Sequence, residues 1–111
     1  MHATELFRGT LQTILLKLLA DHGRMYGYEI TQTVKELSDN SMVLTEGSLY
    51  PALHRLEAEG LVKTETVLIG KRVRKYYSLT RDGKKETPLR VSEFEAFMFT
   101  MRNVLNLKTA V

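Results

Sequence analysis

The stretch EGSLYPALHRLEAEG, from Glu46 to Gly60, decides the fold because its leucines recur at the spacing of an α-helix. One face of this helix carries the apolar side chains of a buried stripe: Leu49, Ala52, Leu53 and Leu56. A second face carries small, polar and cyclic side chains: Gly47, Tyr50, Pro51, His54 and Ala58, with Arg55 at its edge. This second face suits base edges and phosphates. Because Glu57 and Glu59 lie at the far end, the N-terminal half is the part expected to enter a DNA groove.

The start of this helix has two candidate N-caps, Thr45 and Ser48. If Ser48 caps the helix, Pro51 is its third residue and lacks only a donor that would be unpaired anyway. If Thr45 caps the helix, Pro51 removes one hydrogen bond to the carbonyl of Gly47 and tilts the first turn. The sequence leaves both alternatives open.

Two further helices are predicted upstream. The first runs from Thr4 to Asp21, with an apolar stripe formed by Leu11, Ile14, Leu15, Leu18 and Leu19. The second, YGYEITQTVKEL, places four apolar residues on one side: Tyr26, Ile30, Val34 and Leu37. The turn-forming residues SDNS then separate it from the helix at Glu46.

Downstream of Gly60, the β-branched run LVKTETVLI and the aromatic run KYYSL predict two strands of a β-hairpin. The intervening GKRVR predicts a basic tip. From Lys71 to Lys85 there are seven cations and one anion, a net +6, whereas the whole chain carries +3. Positive charge concentrated in this way favours contact with a polyanion over general solubility.

The C-terminal segment predicts a long helix. TRDG resembles a helix N-cap, and Pro88 either kinks the helix or marks its start after Glu86. From Leu89 to Leu107 an apolar stripe recurs at helical spacing: Phe94, Phe97, Met98, Met101, Val104 and Leu105. This stripe could pack on the first helix of the same chain or on a second copy. We favour a twofold homodimer in which the partner's first helix lends Leu6 and Phe7.

Composition excludes several classes of protein. The 111 residues suit one domain, and the absence of cysteine excludes disulfides and thiolate metal sites. No apolar run approaches the ~20 residues of a membrane span, and the N-terminus is no signal peptide, so a cytoplasmic protein without membrane contact is expected. The three histidines are widely spaced and no catalytic motif is present. We therefore expect no enzyme, no metal and no cofactor.

The order α-α-α-β-β-α predicts a mainly α (α+β) winged helix-turn-helix, with a DNA-binding domain over 1–83 and a C-terminal dimerisation helix over 84–111. The stretches FRGTLQTILLKLLADHGRMYGYEI, LTEGSLYPALHRLEAEGLV and RKYYSLTRDG strongly resemble the PadR family of transcriptional regulators. The resemblance implies a homodimeric repressor, with a small-molecule pocket at the dimer interface in some members. It also implies that Tyr26 approaches the phosphate backbone, while Tyr28 and Ile30 pack. Since this chain has no tryptophan, stacking of drugs between tryptophans is not expected.

We therefore predict a sequence-specific regulator that reads inverted half-sites of double-stranded DNA, with helix 46–59 in the major groove. The wing over 69–75 would contact the backbone or the minor groove, and a small aromatic or apolar effector could release the protein. The predicted DNA-binding residues are Tyr26, Thr45, Gly47, Ser48, Tyr50, Pro51, His54, Arg55, Lys71, Arg72, Arg74 and Lys75. The alternative is a winged-helix RNA-binding or protein-interaction module without effector sensing.

Overall fold

A computed structural model describes residues 9–107 of the chain. Three helices come first: α1 (Leu11–His22), α2 (Gly27–Leu37) and α3 (Glu46–Ala58). The strands are β1 (Met25–Tyr26), β2 (Val62–Ile69) and β3 (Arg72–Leu79), and α4 (Arg81–Val104) follows. Three helices followed by a hairpin form a winged helix-turn-helix, so the predicted fold class is confirmed. Over residues 9–107, no helix combines the length and the apolar character needed to cross a membrane.

The sheet has three strands in the order β1-β3-β2, all antiparallel. The short strand β1 was missed by the sequence prediction, because two residues give no periodic signal. It pairs Met25 with Tyr77 and Tyr26 with Tyr76, and so ties the start of α2 to the centre of the hairpin. In the other pair, Ile69 faces Arg72 across a two-residue turn that begins with Gly70. Gly70 has φ 62°, a conformation that glycine adopts at little cost.

The core lies between α1, α2, α3 and the inner face of the sheet. The predicted leucine stripe of α3 is confirmed, since Leu49, Leu53 and Leu56 are buried. The other helices and the sheet contribute further buried side chains, among them Leu15, Leu19, Ile30, Val34, Val62, Tyr77 and Leu79. Two packing predictions for α2 are wrong. Tyr28 is exposed, and Leu37, the last residue of α2, is 73% exposed because it lies beyond the turn that packs on the core.

The N-cap of α3 is Thr45 and not Ser48, which decides between the two candidates that the sequence left open. Its side-chain oxygen accepts a hydrogen bond from the Ser48 N–H at 3.2 Å, and its carbonyl accepts from the Leu49 N–H at 2.9 Å. Pro51 consequently lies inside the helix, where it cannot donate to the carbonyl of Gly47.

The N-cap of α4 is Thr80, so the helix begins well before Pro88 and the proline lies inside it. Thr80 fixes this start to the end of α3: its hydroxyl donates to the Gly60 carbonyl at 2.6 Å, and its N–H donates to the Leu61 carbonyl at 3.0 Å. Gly83 then lies so close to Leu61 that a Cβ there would overlap the Leu61 carbonyl oxygen. α4 runs without a break across residues 83 and 84. The division of the chain there into a DNA-binding domain and a dimerisation helix remains a prediction.

Candidate nucleic-acid interface

The outward face of α3 is accessible along the length predicted for DNA contact. Gly47, Pro51, His54 and Arg55 are exposed, and Ser48 is half-buried. At the N-terminal end the hydroxyls of Thr45 and Ser48 lie 3.0 Å apart and hydrogen-bond to each other. The end that would enter a groove therefore presents hydroxyl, imidazole and guanidinium groups together.

The two acids at the C-terminal end of α3, Glu57 and the cap residue Glu59, contact neighbouring elements, whereas Glu46 is exposed in the first turn. Glu57 accepts a hydrogen bond from the Thr64 hydroxyl of β2 at 3.4 Å. A carboxylate oxygen of Glu59 lies 3.7 Å from the guanidinium of Arg90 on α4. Both negative charges are thus engaged by neighbouring elements, which reduces the repulsion that a phosphate backbone would meet.

Tyr50 occupies a different position from the other predicted contact residues. It is half-buried and packs against the core. Its hydroxyl lies over Gly27, the first residue of α2, where any added Cβ would overlap it. Tyr50 therefore fixes α3 on the start of α2, and only part of its ring remains on the outer surface.

The outer face of the sheet carries a stack of two tyrosines and two arginines, which we call the Arg-Tyr stack: Arg24, Tyr26, Arg74 and Tyr76. The rings of Tyr26 and Tyr76 meet edge to face, with centroids 5.6 Å apart. The guanidinium of Arg74 lies 4.0 Å from the centroid of Tyr26, and that of Arg24 lies 4.3 Å from the centroid of Tyr76. Arginines over aromatic rings at these distances are held by cation–π attraction.

The charge states within the Arg-Tyr stack follow from its contacts. A long contact of 3.5 Å with the Tyr76 hydroxyl favours the charged guanidinium and raises the pKa of Arg74. Among residues 9–107, Arg74 forms no ion pair. Arg24, in contrast, is paired with the carboxylate of Glu65 on β2. Arg74 is therefore the cation of the stack without an ion-pair partner among the described residues, although the nearby Glu29 carboxylate also raises its pKa.

The predicted basic tip of the hairpin is in fact divided. Strand β3 already begins at Arg72, because the turn needs only two residues. Alternation along the strand places Arg72 and Arg74 on the outer face with Tyr76, and Lys75 on the opposite face, where its ammonium lies 5.5 Å from the Tyr77 ring. Lys71 lies in the turn and is exposed. The predicted tip GKRVR is thus too long, because its residues from Arg72 onward belong to β3.

Sequence reasoning missed two members of the Arg-Tyr stack. Tyr76 could have been found, since RVRKYYSL places Arg72, Arg74 and Tyr76 at alternate positions of one strand. Arg24 gave no signal, because it lies between elements and meets Tyr76 only through the fold. The structure brings together Tyr26 and Arg74 of the predicted set, and the contact of Tyr50 with Gly27 joins them to α3.

An open groove of about 750 Å³ lies between α1, the base of the hairpin and α4. Apolar side chains, including Ala20, Pro88 and Val91, alternate in its lining with the cations Lys17, Arg24, Lys63 and Lys84. Lys17 is paired with Asp21 at 3.0 Å. The groove has the dimensions of a small-molecule site. Among the described residues, no group of three or more histidines and acids could hold a metal ion.

The C-terminal half of α4 projects from the domain with apolar side chains uncovered. Of the predicted dimer-interface residues, Phe97 is 56% exposed, and Met98, Val104 and Leu105 are exposed as well. Phe94 and Met101 are half-buried, and the Phe94 and Phe97 rings lie 6.4 Å apart. Packing of the whole stripe on α1 of the same chain is therefore excluded. Leu6 and Phe7 lie outside the described residues.

Known proteins with similar sequence and fold include several transcriptional regulators. The model of the transcriptional regulator PadR-like family matches residues 15–88. The transcriptional regulator Rv3488 of Mycobacterium tuberculosis is 36% identical over 80 residues, which cover 72% of this chain and 71% of that protein.

Solved structures agree with this match. A transcriptional regulator from Clostridium thermocellum is 31% identical with a TM-score of 0.83, over 93% of this chain and 97% of the other. A PadR family regulator from Eggerthella lenta is 28% identical with a TM-score of 0.79, over 96% and 90%. The chain thus belongs to the PadR-like family, as its sequence motifs predicted, and is a DNA-binding transcriptional regulator rather than an enzyme.

Proposed function

We propose that the protein is a homodimeric repressor that reads an inverted-repeat operator in double-stranded DNA. In this proposal α3 enters the major groove, and the wing over 69–75 lies on the adjacent backbone or in the minor groove. One observation carries it: the contact of Tyr50 with Gly27 holds α3 against the start of α2, directly after Tyr26 of the Arg-Tyr stack. The hairpin adds the cations Arg72 and Arg74 on the same face of β3 as the stack.

The two parts of this surface have different tasks in the proposal. His54, Arg55 and Ser48 would contact base edges, because their donors and acceptors lie on the outward face of α3. Tyr26, Arg74, Arg72 and Lys71 would contact phosphates and set the register of α3. Tyr50 would contribute chiefly by fixing α3 on α2, with only its outer edge available to DNA. Thr45, Gly47 and Pro51 complete the proposed contacts of α3, and Lys75, on the opposite face of β3, would approach DNA from the other side of the wing.

The homodimer is supported by the uncovered apolar stripe of α4, formed by Phe97, Met98, Val104 and Leu105. A monomer that exposed this stripe to water would lose the free energy of apolar burial, whereas a twofold partner would recover it. A twofold arrangement also presents two copies of α3 to half-sites about one helical turn apart. Because a transcriptional regulator must reach DNA, we place the protein in the cytoplasm.

A small aromatic or apolar effector would act through α4. A ligand in the groove beside Pro88 and Val91 would contact the base of the same helix that carries the dimer stripe. Binding that favours one angle of α4 would change the distance between the two α3 helices and release DNA. Thermal unfolding with a panel of phenolics, dyes and drugs tests this part, and a flat response across the panel would count against it.

Fluorescence anisotropy with duplex DNA from upstream of the protein's own coding region, at two salt concentrations, tests the central proposal. We expect specific affinity well above that for random DNA, falling with salt by several ion equivalents. Equal affinity for random DNA would contradict sequence-specific reading. Equal affinity for duplex RNA would favour the RNA-binding alternative. Expression of a reporter under the same upstream region should fall when the protein is present, and a rise would exclude repression.

A further inference from the structure

Tyr76 lies at the centre of the Arg-Tyr stack, yet it is not among the residues expected to touch DNA. Its ring receives the guanidinium of Arg24 at 4.3 Å and meets the Tyr26 ring edge to face. Its hydroxyl is 3.5 Å from Nη1 of Arg74. Every other member of the stack therefore contacts Tyr76, which makes it the residue that orders the group.

The two arginines of the stack are not equivalent. Arg24 is neutralised by Glu65 and lies on the Tyr76 side of the stack. Arg74 forms no ion pair among the described residues and lies over Tyr26, directly before the first residue of α2. Arg24 thus supports Tyr76 from one side, while Arg74 is the cation left available on the other.

An arginine on an outer strand face would ordinarily sample many rotamers, and ordering it on binding would weaken the contact. Here the Tyr26 ring face and the Tyr76 hydroxyl both limit where the Arg74 guanidinium can lie. A guanidinium that is already held in one place can present its donors to a phosphate without losing further conformational entropy on binding.

We propose that Tyr76 is a positioning residue that holds the Arg74 guanidinium over Tyr26, so that the wing meets the DNA backbone with a preformed phosphate-binding site. The inference rests on the proposed function, since it assigns a task within the same surface. Arg24 and Glu65 act through Tyr76 and do not themselves bind phosphate.

A double-mutant cycle on DNA affinity tests the inference, with Tyr76→Phe and Tyr76→Ile made in the wild type and in Arg74→Ala. Tyr76→Phe keeps the ring that Arg24 and Tyr26 contact but removes the hydroxyl that Arg74 contacts, so we expect an intermediate loss of about two- to threefold. Tyr76→Ile keeps a strand-forming side chain but loses the ring, and we expect about a three- to tenfold loss. In Arg74→Ala, the same Tyr76→Ile change should cost almost nothing, because the guanidinium that it positions is gone.

The salt dependence separates positioning from a general effect on the fold. Tyr76→Ile should reduce the slope of log affinity against log salt by nearly one, as Arg74→Ala does. Equal losses in both backgrounds, or an unchanged slope, would overturn the inference. Arg24→Gln is the second variant if Tyr76→Ile unfolds: it alters an exposed side chain and should give a smaller loss that also vanishes in Arg74→Ala.

The outcomes also distinguish this inference from the proposed function. A wild-type protein that binds no DNA at any salt concentration would overturn both. Wild-type binding together with full additivity of Tyr76→Ile and Arg74→Ala would overturn the inference and leave the proposed function standing.

Discussion

The guanidinium of Arg90 on α4 lies 3.7 Å from the carboxylate of Glu59, which caps the C-terminal end of α3. The same guanidinium donates to Gln12 of α1 at 3.0 Å. One half-buried side chain thus connects the helix proposed to form the dimer with the helix proposed to read DNA. Together with the hydrogen bonds of Thr80 to Gly60 and Leu61, this contact fixes the angle between α4 and α3.

Arg90→Met should loosen that angle while keeping the apolar stem of the side chain. We expect a stability loss of about 1 kcal/mol or less, because the ion pair is partly exposed. Affinity should become less sensitive to the spacing between half-sites, measured with operators lengthened by one or two base pairs. Arg102→Met, at the exposed end of the same helix, is the matched control and should leave spacing preference unchanged. Unaltered preference in Arg90→Met would exclude this role for the contact.

Phe97→Asp should convert the protein to a monomer, because a carboxylate cannot be buried in an apolar interface without a partner. Light scattering during gel filtration should give about twice the 12.7 kDa chain mass for the wild type and one chain mass for the variant. Asn103→Asp adds the same charge on the opposite side of α4 and should remain dimeric. A monomeric wild type, or a dimeric Phe97→Asp, would contradict the dimer.

Tyr77 should make stability sensitive to alkaline pH. Burial raises the pKa of Tyr77 above its usual 10.0, with smaller contributions from Tyr50 and Glu57, and the side chain is only 2% exposed. The folded state therefore prefers the neutral phenol, so its stabilising effect is complete below pH 10 and is lost as pH rises through the higher folded-state pKa.

Urea unfolding at several pH values around and above 10 measures this effect. Tyr77→Phe should lose less stability over that range than the wild type does. Tyr28→Phe removes an exposed tyrosine and should follow the wild-type curve. Parallel curves for Tyr77→Phe and the wild type would show that the phenol of Tyr77 does not control the alkaline loss.

Gly83→Ala should destabilise the fold by about 1 to 3 kcal/mol or more, since the new methyl group would overlap the Leu61 carbonyl oxygen and the backbone must shift. Gly47→Ala is the control. A Cβ there would lie 3.9 Å from Oγ1 of Thr45, so alanine should stabilise α3 by about 0.5 to 1 kcal/mol. Denaturant unfolding measures both. If Gly83→Ala were as stable as the wild type, α4 would have to be separated from the end of α3.

His54→Ala and Arg72→Ala should weaken DNA binding in different ways. Loss of the exposed imidazole of His54 should cost about 1 to 3 kcal/mol of discrimination between the operator and altered sequences. Loss of Arg72 should weaken all DNA sequences alike and reduce the salt slope by about one. Anisotropy titrations with the operator and with random DNA separate the two. Identical behaviour of the two variants would contradict the division between base and phosphate contacts.

Periodic sequence patterns predicted most of the fold, because burial forces regular spacing of apolar side chains. The leucines of α3 and the two strands of the hairpin were evident for this reason. The strand β1 was not, since two residues carry no period, and the start of α4 was obscured by Gly83 and Pro88. Gly83 is required there by the Leu61 carbonyl, a contact between residues far apart along the chain.

Within the candidate site, the sequence indicated which side chains of α3 point outward, but not what they touch. His54 and Arg55 are exposed as their helical positions predict. Tyr50 lies on the same side by projection, yet the missing side chain of Gly27 leaves a space that its ring fills. Contacts of this kind depend on the docking of one element on another, which no local pattern encodes.

The hydrogen bond between the hydroxyls of Thr45 and Ser48 can run in either direction, because either oxygen can be the donor. A reversible pair of this kind can offer a proton to a carbonyl oxygen or a lone pair to an amino group with equal ease. In the proposed complex, the base pair beneath the first turn of α3 should therefore be degenerate in the operator. Strict base preference is expected about two turns further along, where the guanidinium donors of Arg55 cannot exchange roles.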